Sequence, residues 1–160
     1  GEMRRDLGIS DSIIIAPEVG HAEQLSAFFG IGVFDIVHCT NALDHAHDPI
    51  LALSEAVRVT RLGRAVFLRH KRNEAERNNY AGLHQWNFDV REGRFVLWAP
   101  ASDAAPNGIE IDIEMHLNSQ NLVNVGGVRV TRINQPYARS QDIDDALIDW
   151  IEVVIWRSLF

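Results

Sequence analysis

Cysteine occurs once in the 160 residues, at Cys39, and lysine once, at Lys71. The lone cysteine excludes an intrachain disulfide and any cysteine-cluster zinc site, so a reducing, cytoplasmic setting is expected. No apolar run approaches the roughly 20 residues that a membrane-spanning helix needs, and no apolar leader follows the charged residues at the start. Basic charge is also scarce: 15 basic side chains face 22 acidic ones, for a net charge of -7. A protein that coats nucleic acid or an anionic membrane needs a basic face, so neither partner is expected. What is present is the balance of a globular protein, 46% hydrophobic and 23% charged. One domain spanning residues 1–160 fits that length.

Two β-rich stretches open the chain. Ser12 to Ala16 is a continuous β-branched run closed by Pro17, and Val33 to Cys39 is a second. Between them, Ala22, Leu25, Phe28 and Phe29 suit a short helical turn. Asp48-Pro49 then predicts a helix start, because Asp48 can cap free amides and the missing N–H of Pro49 has no partner to lose. Ile50, Leu53, Ala56 and Val57 follow at helical spacing, with Glu55 and Arg58 off the stripe. Gly63 ends the connection and Ala65 to Leu68 is the next buried strand, so the unit is strand, helix, parallel strand with a right-handed crossover.

The remainder reads less regularly. Lys71 to Asn79 is charged and predicts a solvated loop or helix; the basic run Arg69-His70-Lys71-Arg72 predicts a solvated loop, with an anion site as the alternative. Tyr80 to Phe88 is dense in aromatic and amide groups, and Arg94 to Trp98 predicts a short strand before a Pro- and Gly-marked loop. Ile109 to Leu117 alternates apolar and polar residues without a break, which predicts a strand. Val128 to Ile133 is another, and Trp150 to Trp156 a last one, preceded by a short helix beginning near Ser140.

Phe34-Asp35-Ile36-Val37, Asn41-Ala42-Leu43-Asp44-His45, Asp48-Pro49, Glu55 with Arg58-Val59, and Gly63 before Ala65-Val66-Phe67-Leu68 form an ordered set. The set resembles class I S-adenosylmethionine-dependent methyltransferases, where this order is the fourth strand, the acceptor-side loop, a helix, a glycine turn and the fifth strand. Gly20 to Leu25 looks like the family's adenine-side loop. Gly82-Leu83-His84-Gln85-Trp86-Asn87-Phe88 is similar to a segment of a bacterial subgroup. The resemblance implies an α/β fold, an incomplete Rossmann-like sheet of parallel strands plus a C-terminal antiparallel pair. It also implies S-adenosylmethionine as cofactor and a small molecule as methyl acceptor.

Departures from the family are specific. No counterpart of its first strand and Gly-x-Gly-x-Gly turn stands before Ser12, and Arg61-Leu62-Gly63-Arg64 replaces its Pro-Gly-Gly turn. The first strand normally lies beside the fourth, so its loss would leave Phe34 to Cys39 with an unpaired apolar edge. Such an edge invites another strand. The expectation is therefore a rearranged sheet or one completed by dimerisation, with a homodimer through that edge. The alternative to a methyltransferase, or a fragment of one, is an inactive methyltransferase-like module kept for binding or assembly.

Site residues follow from the strand ends, where open α/β sheets place their ligands. His45, with Asp44, is the candidate base, since imidazole exchanges protons near neutrality. The resemblance implies cofactor contacts at His21, Ala22, Glu23, Thr40 and Asn41. His84, Trp86 and Asn87, with Gln85, are the candidate acceptor-pocket residues. A packed turn at 84–87, and a loop in which Asp44, His45 and Asn41 merely satisfy backbone, are the structural readings of the same residues. No metal is expected: His38, His45 and His47 lie near Asp44 and Asp48, but their spacing fixes no third ligand. Cys39 reads as a small buried hydrophobe.

Overall fold

The computed structural model describes residues 18–103, 105–124, 126–135 and 148–159. The expected strand at Ser12–Ala16 and the expected helix start near Ser140 lie outside them. A 3-10 turn at Ala22–Gln24 runs into α1 (Leu25–Phe29), which leads to β1 (Phe34–Thr40). Helix α2 (Pro49–Val59) connects β1 to β2 (Thr60–Lys71), the two strands being parallel neighbours as the sequence predicts. Asp48 caps α2 by accepting the Leu51 amide at 2.9 Å, and Pro49 occupies the first turn. Leu53 and Val57 are fully buried beneath it. Glu55, expected on the solvent side, is buried instead, because its carboxylate accepts the Ser26 amide of α1 at 2.7 Å and ties the two helices together.

β2 is longer than its apolar core, Ala65 to Leu68. Phe34 pairs with Thr60 but Ile36 already pairs with Ala65, so residues 61–64 form a bulge. Gly63 makes the bulge possible with φ of 72°, and a side chain there would meet Leu159. At the other end, the basic run is no solvated loop. β2 continues through it, and its alternation buries His70 completely against Phe88, the rings stacking at 4.7 Å.

After β2 come α3 (Glu74–Arg77) and a second, three-stranded sheet. It consists of β3 (Asn87–Arg91), β4 (Arg94–Ala99) and β5 (Ile109–Asp112) in a plain antiparallel meander. The strand expected over Ile109 to Leu117 ends early. Asp112 caps the Met115 amide at 3.0 Å and starts α4 (Ile113–Ser119). The burial shows why helix wins: Ile113 and Leu117, four apart, are buried, while Met115 between them is 68% exposed. A strand would have buried all three.

The chain returns to the first sheet through β6 (Val128–Gln135) and β7 (Ile148–Trp156), an antiparallel pair. β7 pairs with β2, giving the order β1-β2-β7-β6. The mixed α/β architecture with parallel strands and a C-terminal antiparallel pair is thus the expected one. One continuous core joins both sheets, with Val66, Leu68, Ile151, Val153 and Ile155 from the first packed with Phe88, Phe95 and Leu97 from the second. Among the described residues the outer edge of β1 has no partner, and Ile36 on it is 64% exposed.

Candidate functional site

β1 delivers its chain to the carboxyl end of the sheet, where Asn41 turns with φ of 50°. The Asn41 amide nitrogen donates to the Arg69 carbonyl at 2.7 Å, and its side-chain oxygen accepts the Lys71 amide at 3.0 Å. Both bonds pin the start of the following loop onto β2. That loop passes through a 3-10 turn, Leu43–His45, and is held from the other side by Glu23. The Glu23 carboxylate accepts the His47 and Asp48 amides at 2.9 and 3.3 Å. Partial burial pushes its pKa up, but those amides outweigh it and hold the group below its ordinary value.

A cleft of about 760 Å³ lies between the two loops, walled by His21, Ala22 and Glu23 on one side and Leu43, His45 and Asp48 on the other. A second cleft of about 700 Å³ is walled by Tyr80, Leu83, Gln85, Trp86 and Ile109, again with His45. His45, with Ala46 and His47, therefore forms the partition between them.

Behind the partition lies Asp44, only 2% exposed. His84 Nδ1 stands 2.7 Å from Asp44 Oδ2, and His45 Nε2 stands 3.2 Å from His84 Nδ1 and 3.6 Å from the same carboxylate oxygen. The two imidazoles meet edge to face at 4.6 Å. Asp44 Oδ1 is buried and has no hydrogen-bond partner. The fold thus brings together three of the residues singled out in the sequence, across 40 positions of chain. Their joint arrangement was invisible there, because only the meander returns His84 to the end of β1.

The other expected site residues divide. His21, Ala22 and Glu23 line the first cleft and Trp86 the second. Thr40 bonds His38 at 3.1 Å and neither it nor Asn41 is among the residues lining the first cleft. Asn87 is wholly buried, accepting the Glu76 amide at 2.9 Å and donating to the Tyr80 hydroxyl at 3.0 Å, so its amide braces the loop from within. Gln85 likewise donates to the Tyr80 and Gly82 carbonyls. Tyr80, Leu83 and Ile109 line the second cleft without having been singled out; the aromatic density of 80–88 was the available signal. Cys39 is partly buried beside the first cleft, and burial raises its pKa, as suits an unreactive thiol.

Comparison with known proteins bears on this geometry directly. Residues 5–68, which carry the ordered motifs, match the methyltransferase domain family. Among solved structures, an S-adenosylmethionine-dependent methyltransferase from Thermotoga maritima superposes with a TM-score of 0.52 at 13% identity, over 98% of this chain and 68% of that one. The chain carries a class I methyltransferase fold. A second match to the methyltransferase fold, from the complex between the Haloferax volcanii Trm112 methyltransferase activator and a methyltransferase, has a TM-score of 0.50 at 14% identity. It spans 99% of this chain and 67% of that one. This chain therefore covers about two thirds of the length of both. No curated protein matches it.

Family and fold support S-adenosylmethionine as the cofactor, and the residues present fit its adenosine end. The cleft at the strand end has apolar walls in Ala22, Leu43 and Leu51, with His21 and Gln24 supplying polar atoms at its rim. No glycine-rich cradle for the amino-acid end occurs among the described residues.

Proposed function

We propose that this chain forms the acceptor side of a methyltransferase active site and serves methyl transfer to an oxygen or nitrogen of a small molecule. The observation that carries the reading is the shared wall: His45 faces both clefts, so an acceptor in the second lies against whatever fills the first. The loop of His21, Ala22 and Glu23 would hold the adenosine end. Asn41 contributes by fixing the loop, since its side-chain oxygen is already taken by the Lys71 amide. When bound, S-adenosylmethionine supplies an activated methyl on a sulfonium; the protein's task is alignment and proton removal.

The second cleft, with Leu83, Trp86, Pro100 and Ile109 beside the hydroxyl of Tyr80, suits a flat and mostly apolar acceptor with one polar reactive group. The His45 imidazole takes the proton of that group, its Nε2 being turned to His84 and Asp44. Asp44 and His84 orient the His45 ring, lying 3.6 and 3.2 Å from its Nε2. The reading includes a homodimer paired along β1, whose open apolar edge supports it.

Calorimetry with S-adenosylmethionine and S-adenosylhomocysteine, followed by labelled-methyl transfer to aromatic alcohols and amines, tests this. Micromolar cofactor binding and a fall in kcat of about 10²-fold or more in His45→Ala, well beyond any loss of cofactor affinity, are expected. Absence of binding to either compound would hand the chain to the alternative, an inactive assembly module.

A further inference from the structure

We infer that Asp44, His45 and His84 form a zinc site. Sequence spacing offered no third ligand to the histidines around Asp44, but the fold supplies one, His84, from the loop that leads into β3. Nε2 of His45, Nδ1 of His84 and Oδ2 of Asp44 lie within 4.8 Å of one another. Their separations are 2.7, 3.2 and 3.6 Å. Three corners of a zinc tetrahedron with bonds near 2.1 Å stand about 3.4 Å apart. The observed triangle is already close to that size. A cation at its centre replaces the direct contact between His84 and Asp44, and that closest pair opens by about 0.7 Å to accommodate it.

The chemistry of the donors narrows the ion. Two imidazoles and one carboxylate suit a divalent transition ion, zinc or ferrous iron, whereas magnesium and calcium prefer all-oxygen shells; zinc, which needs no redox partner, is the ion tested. The burial pattern provides a second, independent argument. Asp44 is only 2% exposed, and a carboxylate so far from water asks for a compensating positive charge on the oxygen it presents to the two histidines. Its two neighbours remain reachable, the side chains of His45 and His84 being 34% and 25% exposed. The fourth position then belongs to water or to an acceptor's oxygen or sulfur. The three atoms can accept a proton or hold a cation, though not both at once. The inference does not rest on the methyltransferase reading, because binding is measured without any cofactor.

The test is titration of the chelator-treated full chain with Zn²⁺ alone by calorimetry. One zinc per chain at micromolar affinity or tighter is expected, weakened at least tenfold in His84→Ala and in His45→Ala. Mg²⁺ should not compete. Asp44→Asn risks misfolding, so Co²⁺ added to the unaltered chain gives the second readout: intense visible bands of a tetrahedral site, bleached by added zinc. No saturable zinc binding, or a histidine variant that binds zinc as tightly as the unaltered chain, or absence of the cobalt bands, would overturn the inference and leave a hydrogen-bonded His–Asp–His cluster.

Discussion

His70 sits in the core with neither ring nitrogen hydrogen-bonded, and that isolation has a measurable consequence. Burial pulls its pKa from the ordinary 6.5 down to about 4, partly opposed by the charge of Asp44 and reinforced by His45. The unfolded chain therefore binds a proton that the folded one refuses. The stability guarded by neutral His70 is whole above about pH 6.5 and drains away as pH falls toward the folded value. The slope is about 1.4 kcal/mol per pH unit and roughly 3 kcal/mol in all. Urea unfolding at about pH 7 and about pH 4.5 should show this loss, and His70→Phe should flatten it while keeping the stack on Phe88. A variant that retained the full slope would show that other groups carry the acid sensitivity. Asp89 acts lower on the scale. Burial raises its pKa, yet Arg72 and the Val90 amide prevail and hold it below the usual aspartate value, so its contribution is whole above that usual value and is lost as pH falls from there through the depressed one.

At the scale of elements, α2 was legible almost to the residue. Asp48-Pro49 marks a start by chemistry that needs no tertiary context, and Asp48→Ala should cost about 1 kcal/mol in thermal or urea unfolding. Leu53→Ala beneath the same helix should cost about 2 to 5 kcal/mol, since it empties a site with no access to solvent. Elsewhere local pattern was not enough. The alternation of Ile109 to Leu117 fits a strand and a helix alike over so short a stretch, and the cap at Asp112 decided it. The basic run after Leu68 looked solvated because its charges were legible, whereas the burial of His70 depends on a meander that packs over it. The same return of chain explains the site. His45 and Asp44 could be picked out at a strand end, but their contact with His84 is a property of the tertiary fold.

At the scale of the whole molecule, two sheets must be kept in register for the clefts to exist. Arg72, at the end of β2, reaches both Asp89 of the meander and Asp149 of β7. Trp98 of β4 donates to Asn73 at 3.0 Å in the same place. Arg72→Met takes away the main cationic partner of the buried Asp89 carboxylate, leaving Arg91 and the Val90 amide, and should cost on the order of 3 kcal/mol, read from unfolding curves at neutral pH. The open edge of β1 carries the remaining prediction. Light scattering should give the mass of a dimer, and Ile36→Lys should halve it by placing a charge on the pairing edge. A monomeric parent chain would remove the homodimer from the proposal.

The three-stranded meander enters between β2 and β6, and its approach loop carries His84 and Trp86. The architecture thereby separates two jobs along the polypeptide. Exchanging residues 80–112 for a foreign segment with the same ends would replace most of the wall of the second cleft and the His84 contact to Asp44, while every residue lining the first cleft, from Gly20 to Leu51, is kept.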